Sequence, residues 1–148
     1  MMKNNFITML IIALITSLYS CKEEKNSVWK EQVNEVTLNF PNGNLYLYGK
    51  AWGLGGNHEE IILSSYKLNN KEDLKKEEVY TFYSSDIYYK KDDNGLIVYA
   101  TESETKEPNQ FKSNIKVILK RIKTYDDVKE YSENYEKYGL TKFSMINR

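Results

Sequence analysis

The chain has 148 residues and carries 21 basic and 21 acidic side chains, so no global field draws it to nucleic acid or to acidic lipid. Its 13 tyrosines against 2 prolines predict a folded, strand-rich domain rather than a disordered one. The one cysteine, Cys21, excludes an internal disulfide, and the one histidine, His58, excludes every motif that needs a histidine pair.

The first 20 residues have the layout of an export signal. Lys3 supplies the positive start. Residues 6–18 form an apolar run broken only by Thr8, Thr16 and Ser17, and Ser20 is the small residue before the cut. The run falls short of the ~20 apolar residues that a membrane-spanning helix needs. With Leu18, Ser20 and Cys21 in place, the segment resembles a bacterial lipoprotein signal; Tyr19 stands where that family usually has a small residue. The resemblance implies that the Cys21 thiol receives a diacylglyceryl group, that residues 1–20 are removed, and that the new amino terminus is acylated. A thioether would also protect a lone exported thiol from oxidation. Residues 21–27 then form a charged, apolar-free tether. Within it Lys22, Glu23 and Glu24 resemble the export signal of surface lipoproteins in a Gram-negative lineage. The expected location is the outer membrane, facing outward; the alternative is an anchor facing the periplasm.

Residues 28–148 read as a single β-rich domain. Val36, Leu38 and Phe40 alternate with Thr37 and Asn39, a strand pattern. Asn42-Gly43 predicts a hairpin turn. The next run, 44–52, offers Leu45, Leu47, Gly49 and Ala51 to one face and Tyr46, Tyr48, Lys50 and Trp52 to the other. Residues 59–66 follow as a strand, with Ile61 and Leu63 on one side and Ile62 and Ser64 on the other. The stretch 67–78 is polar and predicts an exposed connection. Strands are expected at 79–83, 87–90 and 95–100, with a turn at Asp92-Asp93-Asn94-Gly95. Residues 101–111 predict an exposed loop. Ile115, Val117 and Leu119 then alternate with Lys116 and Lys120, and the slips at Ile118 and Ile122 suggest partial cover on both sides.

The period changes near the end. Thr124 and Asp127 have the spacing of a capping box. Tyr125, Val128, Tyr131 or Ser132, Tyr135 and Tyr138 share one helix face, and Gly139 stands where a C-terminal cap belongs. Residues 141–146 predict a short strand or a docked tail. The expected fold is mainly β: a single antiparallel sandwich or open barrel of about seven strands, with one C-terminal helix packed on it.

Motifs for chemistry are weak. Gly53, Gly55 and Gly56 lack the spacing of a dinucleotide loop, since His58 stands where a glycine would have to be, and no Gly-Lys-Ser/Thr follows to make a phosphate loop. His58-Glu59-Glu60 lacks a second histidine, so it reads as a polar strand start and no metal is expected. Asp92 and Asp93 lack the oxygen ladder of a calcium loop. The pairs Asp92/Asp93 and Asp126/Asp127 are adjacent acids that rarely face one substrate atom. The chain is expected to be neither an enzyme nor a cofactor carrier. The candidate binding face is Tyr46, Tyr48 and Trp52, expected either to lie under the helix tyrosines or to stay open to a protein or glycan partner. Two functions fit: an envelope lipoprotein acting as a binding module, or an envelope inhibitor or immunity protein that neutralises a toxin or hydrolase. Nucleic acid is not an expected partner.

Overall fold

The computed structural model describes residues 34–52, 58–69, 73–93 and 95–145. The expected signal peptide 1–20, Cys21, the tether 21–27 and the glycines at 53–56 lie outside them. Nine strands and one α-helix are described. They are β1 (Asn34–Phe40), β2 (Gly43–Trp52), β3 (His58–Ser64), β4 (Tyr80–Phe82), β5 (Asp86–Lys91), β6 (Gly95–Thr101), β7 (Thr105–Lys106), β8 (Lys116–Ile122), α1 (Tyr125–Asn134) and β9 (Thr141–Ser144). Two sheets form, with strand orders β1-β2-β3-β4-β7 and β8-β6-β5-β9. The architecture is mainly β, with two sheets and no closed barrel, consistent with a sandwich.

Local chemistry explains the hairpins. Phe40 pairs with Gly43, so Pro41 and Asn42 make the two-residue loop of the first hairpin. Gly43 follows at φ +139°, which suits a residue without a Cβ. The turn at Asp92 also forms, closed by the Asp92 N–H donating to the Gly95 carbonyl at 3.0 Å.

The two sheets meet through side chains at alternate strand positions. Leu38, Leu45, Leu47, Ala51, Ile61, Leu63 and Phe82 come from the five-stranded sheet. They pack on Ile87, Tyr89, Leu96, Val98, Ala100 and Phe143 of the other. The faces assigned from period-two patterning for β2 and β3 are the observed ones.

Three expectations need correction. The sheets are not wholly antiparallel: β6 and β8 run parallel, Gly95 facing Lys116 and Thr101 facing Ile122. Between them the chain crosses to the other sheet and adds β7 beside β4 before returning, which supplies the long connection a parallel pair requires. The strands come close, since a Cβ on Gly95 would lie 2.6 Å from the Lys116 carbonyl oxygen. Second, the loop expected at 101–111 contains a 3₁₀ turn and the two-residue strand β7, which together with β9 brings the strands to nine rather than about seven. Third, the 67–78 connection is not simply exposed. Leu68 and Val79 are buried with Tyr48 and Ile62, and Tyr66 and Leu74 pack beside them.

The helix forms as its end signals predict. The Thr124 hydroxyl accepts from the Asp127 N–H at 3.1 Å and donates to the Asp127 carboxylate at 2.7 Å. A 3₁₀ turn, Tyr135–Tyr138, continues α1; Gly139 ends it at φ +65°, and the Leu140 N–H bonds to the Tyr135 carbonyl across it, the pairing of a Schellman cap. Val128, Tyr131 and Tyr135 pack on Tyr88, Tyr99 and Ile122 of the outer face of the four-stranded sheet, with Leu140 beside them. Tyr125 stays 81% exposed. Ile122 faces the helix while Val117 and Leu119 face the central core, so the slip in the β8 pattern reflects cover on both sides.

Candidate functional site

The tyrosine face named from sequence is largely closed. Tyr48 is 2% exposed, and its hydroxyl accepts the Leu68 N–H at 2.8 Å. Burial pushes its phenol pKa up even though the Leu68 bond pulls it down. Tyr46 is half-buried and stacks on Tyr48 with centroids 6.4 Å apart. The side chain of Trp52 lies outside the described residues. The cover is the 65–79 connection and not the helix, which packs on the opposite sheet. The segment linking β3 to β4 folds back over the outer face of its own sheet through Leu68 and Val79, whereas the helix is tied at both ends to β8 and β9 of the other sheet.

The structure instead opens at one seam between the sheets. The two seams differ. On the β7/β8 side, Phe111 sets its ring edge-on to Tyr80 at 5.1 Å and Ile115 is buried. Arg121 reaches across to Glu102 and Glu107, and Lys112 reaches Glu78 at 2.7 Å. That seam is closed. On the other side the edge strands β1 and β9 flank a cleft of about 780 Å³. Its size lies within the usual range of ligand pockets.

The cleft is built by inner-face positions of four strands. Asn34 and Val36 come from β1, Glu59 from β3, Tyr89 from β5, and Thr141 and Phe143 from β9. Asn34 donates its side-chain amide to the Ser144 carbonyl at 2.7 Å, joining the sheets across the mouth. The end of β9 is held by Met145, whose N–H bonds to the Ser85 carbonyl at 3.0 Å. It lies so close to β2 that a Cβ on Gly49 would sit 2.8 Å from the Met145 Cα. At the rim Lys142 is paired to Asp86 at 2.9 Å.

Two groups in the cleft stand out chemically. Glu59 shares the inward register of Ile61 and Leu63, yet makes no ion pair among the described residues. Tyr89 is 8% exposed, and its hydroxyl has no hydrogen-bond partner among the described residues. Burial alone raises its pKa. Buried polar groups normally find partners, so an unpaired phenol beside a cleft marks a place for one.

This site is nearly silent in the sequence. Its one visible signal was Glu59, a carboxylate in phase with two core residues. Of the other residues singled out, Asp92 and Asp93 are exposed at a hairpin tip, and Asp126 and Asp127 lie in the first helical turn. His58 opens β3, as a polar strand start should. Among the described residues no three His, Cys, Asp or Glu side chains gather in a way that could hold a metal ion. Among them, too, no helix is long and apolar enough to cross a membrane.

No protein-family model matches the chain, and neither the curated proteins nor the solved structures hold a match to it.

Proposed function

We propose that this chain is an envelope lipoprotein, anchored through Cys21 to the outer membrane and displayed outward, whose β domain is a non-enzymatic binding module for a protein or glycan. The observation that carries the binding reading is the open β1/β9 seam, a cleft lined by Tyr89, whose hydroxyl has no hydrogen-bond partner among the described residues. The anchor reading rests on Leu18, Ser20 and Cys21, and the outward display on Lys22, Glu23 and Glu24. Several acyl chains give stable anchoring where one is marginal, at ~0.8 kcal/mol per buried CH₂.

Metabolic labelling with a fatty acid tests the anchor. The wild type should incorporate label and Cys21→Ser should not; a labelled serine variant would end the lipoprotein reading. Protease added to intact cells tests the display. Replacing Lys22, Glu23 and Glu24 together with alanine should keep the label and lose protease access. A wild type already protected would place the protein on the periplasmic side.

A further inference from the structure

The chemistry of the cleft narrows its ligand, an inference that rests on the binding-module reading. The carboxylates near it are not equivalent. Glu35 is on the strand position that faces away from the central core, and its charge acts on the Tyr48 hydroxyl on that outer side. Asp86 is neutralised by Lys142. Among the described residues Glu59 is left as the inward-facing charge without a cation. A carboxylate in a narrow cleft with protein walls attracts positive charge more strongly than one on open surface.

The walls add two features. Tyr89 and Phe143 are among the residues that line the same space, and aromatic residues attract cations. The flanking strands β1 and β9 are sheet edges among the described residues, with one sheet neighbour each. Edge strands offer main-chain groups to an added strand, while a pocket beside them selects a side chain.

We propose that the β1/β9 cleft receives a lysine or arginine side chain of an extended partner polypeptide, with Glu59 as counter-ion and the Tyr89 hydroxyl as hydrogen-bond partner. The main chain of the partner runs along the flanking edges. The basic group supplies the cation that Glu59 lacks, and the pocket gives the buried phenol its missing bond.

The test uses the full chain and a short glycine–serine peptide with one central arginine. Lysine, citrulline and glutamate versions serve as comparisons, and amide shifts at Asn34, Glu59, Ser85 and Thr141 are followed by NMR. Arginine and lysine peptides should shift these residues at millimolar concentration, while citrulline and glutamate peptides should not. Glu59→Gln should weaken binding about tenfold, on the scale of a lost charge pair. Tyr89→Phe should weaken it about threefold without lowering the melting temperature, because the hydroxyl bonds to no described residue. Equal binding of arginine and citrulline peptides, unmoved cleft residues, or an indifferent Glu59→Gln variant would overturn the assignment. Cross-linking in intact cells separates the two readings. A partner captured equally by wild type and Glu59→Gln keeps the module and removes the cleft. No partner for either chain, together with silent peptides, removes both.

Discussion

The 65–79 connection and helix α1 lie on opposite outer faces of the sandwich, and they use tyrosine differently. Under the connection Tyr48 is buried, and its hydroxyl holds the Leu68 N–H; the Tyr66 hydroxyl likewise accepts the Lys75 N–H at 3.1 Å. An irregular segment leaves backbone donors without regular partners, and here phenols satisfy them. The helix satisfies its own backbone, so its tyrosines contribute rings. Tyr88 meets Tyr135 at 5.5 Å and Tyr99 meets Tyr131 at 5.3 Å. No residue of α1 is fully buried. The comparison teaches that phenols hold backbone donors where the cover is irregular, whereas under the helical cover the rings pack and the Tyr138 hydroxyl bonds a side chain, donating to Glu130 at 2.6 Å.

Truncation breaks the comparison most sharply. Tyr48→Ala should cost about 3 kcal/mol in denaturant unfolding, because a fully buried ring leaves a cavity. Tyr131→Ala, losing a half-exposed ring, should cost about 1 kcal/mol. Similar losses at the two sites would show that the covers are equivalent after all. Removing only the hydroxyl isolates the hydrogen bond. Tyr48→Phe should cost about 2 kcal/mol by leaving the Leu68 N–H buried and unbonded. Tyr131→Phe should change stability by less than about 0.5 kcal/mol. If Tyr48→Phe is as silent as Tyr131→Phe, the phenol is packing on both faces.

The helix ends come next in size. Thr124→Ala removes the N-cap and should cost about 1 kcal/mol. Hydrogen exchange should show the loss confined to α1, with the 65–79 cover unaffected. Faster exchange at Leu68 would mean that the two covers are coupled through the sheets.

The smallest effect is electrostatic and belongs to the irregular cover. Glu78 is bonded to Lys112 at 2.7 Å, and that bond, aided by the charges of Lys112 and Lys75, holds its carboxyl below the usual range. A depressed carboxylate stabilises the fold above its unfolded pKa of about 4.3, and the contribution fades as pH falls through the lower folded value. Acid titration of the melting temperature should therefore drop less steeply in Glu78→Gln than in wild type. The Lys112 end of the pair is exposed, so added salt should shrink the difference. A wild type and variant with parallel curves would show that the pair adds nothing to the cover.

Much of this protein is legible in short stretches of sequence. Alternation at Leu45, Leu47 and Ala51 assigned the core face of β2, because strand period is a property of a few neighbouring residues. Thr124 and Gly139 marked the two ends of the helical segment, α1 and the 3₁₀ turn after it, for the same reason: caps act within one turn. Tertiary structure decided what those signals do not contain. The parallel pairing of β8 with β6 depends on where the chain goes between 102 and 115. The cover over Tyr48 depends on which segment can reach it, and the helix cannot, since β8 and β9 hold it on the other sheet. Among the described residues the β1/β9 cleft depends on two edges from different sheets, joined by Asn34 but leaving space between them, while the β7/β8 seam is filled by Phe111, Ile115 and Arg121. Period and capping are local and can be read one segment at a time. Pairing, cover and clefts are relations between segments far apart in the chain, and they take shape only when the whole core packs.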